Sequence, residues 1–107
     1  MVRISVPIYQ AEEKYWQEQL SKYRGVRSLT VYTMMFSGFK HWQNDISFEE
    51  NLNVISYPET TLVYKVAVQF DEEDEMYKAI KKLKVEKGLP MSKSARFFMF
   101  YDWRYRR

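Results

Sequence analysis

Apolar and polar residues alternate over two short stretches, one at the start of the chain and one after its middle. The apolar members of the two stretches are Val2, Ile4, Val6, Ile8, Val66, Val68 and Phe70. The positions between them carry Arg3, Ser5, Pro7, Lys65, Ala67 and Gln69. Alternation with a period of two is typical of a strand that buries one face. It predicts two strands, the second over residues 64–70, although Pro7 is unexpected because proline cannot donate to a ladder.

After the second strand, the apolar period lengthens to that of a helix. The residues that recur at i, i+4 and i+7 are Met76, Ile80 and Leu83. This spacing predicts a helix with one buried face. The five acids of residues 71–75 suit its positive end, with Asp71 as the expected N-cap, and Gly88 is expected to end it. Because Pro90 forbids simple continuation, we expect a second helix, capped by Ser92 and running towards Trp103.

The first half of the chain repeats this order of elements. A helix is predicted from Ala11 to Tyr23, Gly25 takes the place of Gly88, and Ser28 caps a second helix. The expected core residues of these two helices are Tyr15, Trp16, Leu20, Val31, Met34, Met35, Gly38 and Trp42. Corresponding residues of the two halves lie 62 to 64 positions apart, as in Arg3 and Lys65 or Ser28 and Ser92. The pattern therefore indicates an internal repeat of strand, helix and helix.

Residues 64–98, Y-K-V-A-V-Q-F-D-E-E-D-E-M-Y-K-A-I-K-K-L-K-V-E-K-G-L-P-M-S-K-S-A-R-F-F, resemble a ribbon-helix-helix domain of the Arc/MetJ kind. The segment G-L-P-M-S-K-S-A is especially similar to that family's turn into its second helix, and the first half resembles the family more loosely. The chain is also similar to small tandem regulators from archaeal filamentous viruses. The resemblance implies an α+β fold in which two β-α-α units, residues 1–42 and 63–107, form an intrachain pseudo-dimer around a central antiparallel ribbon.

A unit of about 45 residues with a single strand cannot bury its apolar face alone, which is why two copies are expected to share one core. Residues 43–62 form a linker between them. Leu52–Tyr57 alternates like a strand, so we expect it to add an extra strand to the central sheet. An added strand would widen a ribbon that must enter a groove about 12 Å wide, so it would have to move aside or change the docking.

The family resemblance implies that the protein is a transcriptional regulator that reads double-stranded DNA with the outward side of its ribbon. The residues expected to read bases are Arg3, Ser5, Lys65, Ala67 and Gln69. Arg and Lys can pair with guanine, Gln with adenine, Ser with either, and Ala can touch a thymine methyl. The residues expected to contact phosphates, at the second-helix starts and the basic tail, are Arg27, Ser28, Ser92, Lys93, Arg104 and Arg106. The resemblance also implies self-association on adjacent sites.

Three other interpretations stay open at this point. The same outward residues also fit a plain solvent-facing strand, and the fold could serve as a protein-interaction or assembly module without DNA binding. A ferredoxin-like α/β domain is disfavoured, because two adjacent helices between strands do not fit a βαβ unit. Replacement of Arg3 and Lys65 by Ala should abolish DNA binding if the outward residues read DNA. It should leave a protein partner bound if the fold is an interaction module.

Composition and charge narrow the function further. The 107 residues include no cysteine, which excludes disulfides and thiolate metal sites and favours a reducing compartment, the cytoplasm of a host cell if the chain is viral. No apolar run approaches the roughly 18 residues of a membrane span, so we expect no membrane partner. Residues 65–107 hold eleven Lys and Arg against seven acids, a net of +4, which suits nucleic acid without requiring it.

No motif supports an enzyme. The sequence has no histidine cluster, glycine-rich phosphate loop or metal-ligand spacing, so we expect no catalytic residue, no metal site and no cofactor. The single histidine, His41, is expected to be structural.

Overall fold

Strands and helices follow one another in the same order in each half of this computed structural model. The elements are β1 (Val2–Tyr9), α1 (Glu13–Lys22), α2 (Arg27–Gln43), β2 (Leu62–Phe70), α3 (Glu75–Lys87) and α4 (Met91–Arg106). The structure describes residues 1–10, 13–43 and 61–106, the last seven by their backbone alone. The expected extra strand at Leu52–Tyr57 lies outside these ranges. The protein is an α+β domain whose described part has one two-stranded antiparallel sheet.

The two strands pair along their whole length. Val2 lies opposite Phe70, Val6 opposite Val66, and the pairing stays regular as far as Ile8. The apolar side chains of this ribbon that are buried are Ile4, Val6, Ile8, Val66, Val68 and Phe70, with Val2 partly buried. The predicted alternation is confirmed. Pro7 sits within the regular part of the pairing, and among the described residues β1 has β2 as its one neighbour, so it is an edge strand there, where proline is tolerated.

The helices cover the apolar side of the ribbon, with the two halves interlocked. The second helix of each half packs beside the strand of the other half, α2 on β2 and α4 on β1. These two helices also form the largest helix–helix contact, where Phe98 meets the rings of Phe39 and Trp42 edge-on at 5.4 and 5.3 Å between centroids. Neither half could bury its apolar residues without the other, because each helix pair closes over a shared strand pair.

The α3 helix begins three residues later than Asp71 would place it. Asp74 is the N-cap, in extended conformation, and its carboxylate accepts hydrogen bonds from the Met76 and Tyr77 N–H groups. Asp71 instead accepts from the N–H of Glu73, which tightens the turn before the helix. The expectation of an Asp71 cap was therefore wrong, since any acid of the run could cap and only the backbone decides which does. The predicted stop at Gly88 is confirmed by its left-handed φ of 65°.

The α2 and α4 helices begin in the same way. The Thr30 N–H and hydroxyl both donate to the Val26 carbonyl, and Ser94 does the same to Pro90. Val26 and Pro90 therefore occupy the cap positions, and Ser28 and Ser92 lie inside the first turn. The expectation that the two serines are N-caps was wrong. Their backbone N–H groups still precede the first intrahelical bond and point out of the helix end.

The α4 helix is buried more completely than its pattern predicts. All six residues from Ser94 to Met99 are buried, including Arg96, which is 1% exposed and lies with its guanidinium 4.6 Å from the centre of the Tyr9 ring. Amphipathic spacing predicts one buried stripe. These six residues of α4 have no solvent side because α2, α3 and β1 pack around the helix.

Candidate nucleic-acid interface

The side of the ribbon turned away from the helices is a flat row of three cross-strand pairs, hereafter the outward face. The pairs are Arg3 with Gln69, Ser5 with Ala67, and Pro7 with Lys65. All of these residues are exposed except Pro7, which is half-buried. Successive pairs along a strand stand roughly 7 Å apart. The structure thus brings all five predicted base-reading residues onto one accessible surface.

A groove runs from one end of the outward face to the start of α2. This first groove is lined by Arg3, Ser28, Leu29, Tyr32, Ala67, Val68 and Gln69. It joins two predicted base readers, Arg3 and Gln69, to the predicted phosphate contact Ser28. Ser28 and Leu29 belong to the first turn of α2, whose N–H groups have no intrahelical acceptor, and such groups favour an anion.

A corresponding groove runs from the other end of the outward face to the start of α4. This second groove is lined by Ser5, Pro7, Tyr9, Leu62, Lys65 and Ser92. It joins the predicted base readers Ser5 and Lys65 to the predicted phosphate contact Ser92. Each end of the ribbon is therefore continuous with the positive end of a second helix.

The charged residues of the two strands and α2 are all basic. Neither strand carries an Asp or Glu, nor does α2, and all three elements are fully described. Arg3 and Lys65 stand on the outward face, with Arg27 in the first turn of α2 and Lys93 in the first turn of α4. The Arg27 guanidinium lies 4.6 Å from the centre of the Tyr64 ring, which holds it beside the ribbon. An acid-free surface with cations at both ends attracts a polyanion.

Tyr32 forms a fixed wall of the first groove. Its hydroxyl donates a 2.6 Å hydrogen bond to the Asp74 carboxylate, and its ring lies 5.7 Å from that of Phe70. Burial, then this hydrogen bond and the Asp74 charge, raise the pKa of Tyr32 to about 12. The hydroxyl is thus neutral at any ordinary pH and is already committed to a protein acceptor. Tyr32 therefore shapes the groove, but its hydroxyl proton is not available to a ligand.

Sequence reasoning missed several groove residues, among them Leu29, Tyr32 and Tyr9. Helical spacing could have found Tyr32, because it lies four positions after Ser28 and so on the same side of α2. Period-two alternation could have found Tyr9, because it lies two positions after Pro7 on β1 and so on the same side of the strand. The predicted phosphate contacts Arg104 and Arg106 fall in the last turn of α4. Their side chains lie outside the described part of the structure.

Other kinds of site find no counterpart among the described residues. No group of three His, Asp or Glu there could hold a metal ion. None of the described helices combines the length and apolar character needed to cross a membrane. Comparison of the chain with protein-family models, with curated proteins and with solved structures gives no match.

Proposed function

We propose that this protein is a sequence-specific regulator that binds double-stranded DNA, built from two ribbon-helix-helix units in one chain. The observation that carries the proposal is the continuity of the acid-free outward face with two helix starts, one at each end. Base-reading side chains on a ribbon and anion-binding N–H groups beside it are the two components of groove recognition. Folding alone requires neither, because the outward face contributes nothing to the core.

The strand pairing supports the two-unit description. Adding 62 to the numbers of Arg3 and Pro7 gives Lys65 and Gln69. In the structure Arg3 pairs with Gln69 and Pro7 pairs with Lys65, so the shift exchanges the two pairs. The central pair, Ser5 and Ala67, maps onto itself. A pseudo-twofold axis through this central pair is what two copies of one unit would produce.

The dimensions of the ribbon suit the major groove. Two strands lie about 4.8 Å apart, and the groove is about 12 Å wide and admits a two-stranded ribbon. Three pairs spaced by roughly 7 Å extend over about 14 Å, the rise of about four base pairs. The starts of α2 and α4 would then lie near the phosphates that border the groove, where their N–H groups, Arg27 and Lys93 fix the docking.

The experiment that tests the proposal is selection from a randomised duplex pool at two salt concentrations, followed by affinity measurement on the enriched duplex. We expect a short motif and an affinity that falls steeply as salt rises. The double variant R3A/K65A should lose at least about thirtyfold in affinity, since each base contact contributes roughly 1–3 kcal/mol. Its matched control is K14A/K84A, which removes the same two charges from the exposed surfaces of α1 and α3.

Two outcomes would refute the proposal. One is the absence of any enriched motif. The other is equal loss of affinity in R3A/K65A and K14A/K84A, which would mean that total charge, not the outward face, determines binding. Circular dichroism of both variants should match the parent protein, because none of the four side chains belongs to the core.

A protein-interaction module on the same scaffold is the second candidate. It is favoured by three exposed apolar residues of the α2 region, Val26, Leu29 and Phe36, which are 47%, 48% and 41% exposed. Scattered apolar side chains of this kind are common on protein surfaces, so they weigh less than the outward face. In that case R3A/K65A would leave a protein partner bound, whereas DNA binding would be lost in our proposal.

A further inference from the structure

We propose that the two ends of the ribbon read DNA unequally, with base discrimination concentrated at the Arg3–Gln69 end. The inference rests on the proposed function and deepens it. It predicts an operator whose information lies mainly in one half-site, although the scaffold that presents the two ends is nearly symmetric.

The two ends can be compared residue for residue. The 62-residue shift that exchanges the cross-strand pairs makes Lys65 the counterpart of Arg3 and Pro7 the counterpart of Gln69. Backbone position is therefore matched within these pairs, and what differs between them is side-chain chemistry.

The Arg3–Gln69 end carries two side chains that can each make paired hydrogen bonds. A guanidinium presents a rigid fork to the O6 and N7 atoms of guanine, and a glutamine amide pairs with N6 and N7 of adenine. Because Arg3 and Gln69 lie directly opposite each other, they can contact neighbouring base pairs at the same time. Both are exposed, so neither must leave a buried site to do so.

The Pro7–Lys65 pair carries only one hydrogen-bonding side chain. Proline has no donor or acceptor in its ring, so it cannot distinguish one base edge from another by hydrogen bonds. The Lys65 ammonium is a point charge with freely rotating donors, which can donate to guanine or to a phosphate without a fixed geometry. This end therefore supplies attraction to DNA and little discrimination.

The walls of the grooves reinforce the difference. The first groove, of about 520 Å³, has Tyr32 locked by its hydrogen bond to Asp74 as a fixed side. The residue 64 positions after Tyr32 is Arg96, the same shift that relates Thr30 to Ser94. Arg96 is 1% exposed and lies against the Tyr9 ring, so it offers no accessible donor to the second groove, of about 290 Å³. Neither groove wall supplies the second base-reading side chain that the Pro7–Lys65 pair lacks.

The test is selection from a randomised duplex pool with the parent protein and two variants of Pro7. The parent should enrich a motif with guanine and adenine strongly specified in one half and weakly specified positions in the other. The variant P7Q gives Lys65 an amide partner, and we expect it to gain roughly five- to 150-fold discrimination for one adenine in the second half-site. The matched control P7A removes the ring without adding an amide and should keep the parent's motif. Q69A should lose the adenine preference of the first half-site.

The outcomes separate this inference from the function on which it rests. If no motif is enriched with any variant, the DNA-reading function itself fails. If the parent enriches a motif with two equally specified halves, DNA reading stands and the unequal reading is overturned. The inference is also overturned if P7Q, folded as judged by circular dichroism, enriches the same unequal motif as P7A.

Discussion

The two faces of the ribbon differ in burial and in chemistry, although their residues alternate along the same two strands. On the inward face, Val6 and Ile8 are completely buried and Phe70 is 1% exposed. On the outward face, Arg3, Lys65 and Gln69 are exposed. The inward residues are accounted for by burial of apolar surface, which drives folding. The outward residues are not required for folding, so their chemistry is the better guide to function.

The difference also explains why the inward face tolerates little change of shape whereas the outward face can vary in chemistry. Phe70 contacts the rings of Tyr32 and Tyr77 at 5.7 and 6.0 Å between centroids, so its loss would leave a cavity among three elements. A surface side chain such as Gln69 leaves only water behind. Neighbouring residues on one strand therefore provide a direct experimental comparison.

Truncation at these two neighbours should give the largest contrast. We expect F70A to lower the free energy of unfolding by about 3–5 kcal/mol, because a buried aromatic side chain is removed and the cavity persists. Q69A should change it by less than about 0.5 kcal/mol. Chemical denaturation monitored by tryptophan fluorescence measures both. Comparable destabilisation by the two variants would show that the outward face is buried against something, and the comparison of faces would fail.

Much of this contrast was predictable from the sequence. Period-two alternation identified which strand residues face inward, and the correspondence of the two halves placed Arg3, Lys65 and Gln69 on one surface. These inferences succeed because successive side chains of a strand point to opposite faces, so a residue's position along the strand decides which face it joins. A different rule located Gly88 as a helix stop: helices commonly end at a residue with a left-handed backbone, a conformation that glycine adopts without strain.

Features that depend on three-dimensional surroundings were not predictable. Five consecutive acids gave no local reason to prefer Asp74 over Asp71 as the cap, and Asp74 also accepts from Tyr32, 42 residues away. The burial of Arg96 and of Gln19, which is 5% exposed, follows from the elements packed around them. A pattern of polar residues marks such positions as solvent-facing. The grooves, likewise, exist only where a strand end meets a helix start from another part of the chain.

A new charge on the outward face should produce the next largest effect. Ala67 lies at the centre of that face, opposite Ser5 and on a surface without acids. We expect A67E to lower DNA affinity at least about tenfold, or about 1.4 kcal/mol, because the carboxylate would face base edges and phosphates. The unfolding free energy should change by less than about 0.5 kcal/mol.

The matched control for A67E adds the same charge elsewhere. Val85 is 82% exposed on α3, so V85E changes the net charge equally without touching the ribbon. Its effect on DNA affinity should be several times smaller and should vanish at high salt. Equal weakening by A67E and V85E would reduce the outward face to a contributor to overall charge, and would remove the functional difference between the two faces.

The smallest effect concerns Tyr32, which lies where the two faces meet, against Phe70 on one side and the first groove on the other. Its pKa is raised from about 10 to about 12 by burial, the hydrogen bond to Asp74 and the charge of that carboxylate. Below pH 10, Tyr32 is neutral in both the folded and unfolded states, and its contribution to stability is complete. As pH rises from about 10 to about 12, the unfolded state ionises first and this contribution is lost. The parent protein should therefore lose more stability over this range than Y32F does, measured by denaturation at successive pH values.

D74N keeps a capping side chain but removes the charge, so tyrosinate absorbance should detect ionisation of Tyr32 at a lower pH in D74N than in the parent. If the unfolding free energies of the parent and Y32F had the same pH dependence, Tyr32 would be open to solvent. It would then not be a fixed wall of the first groove.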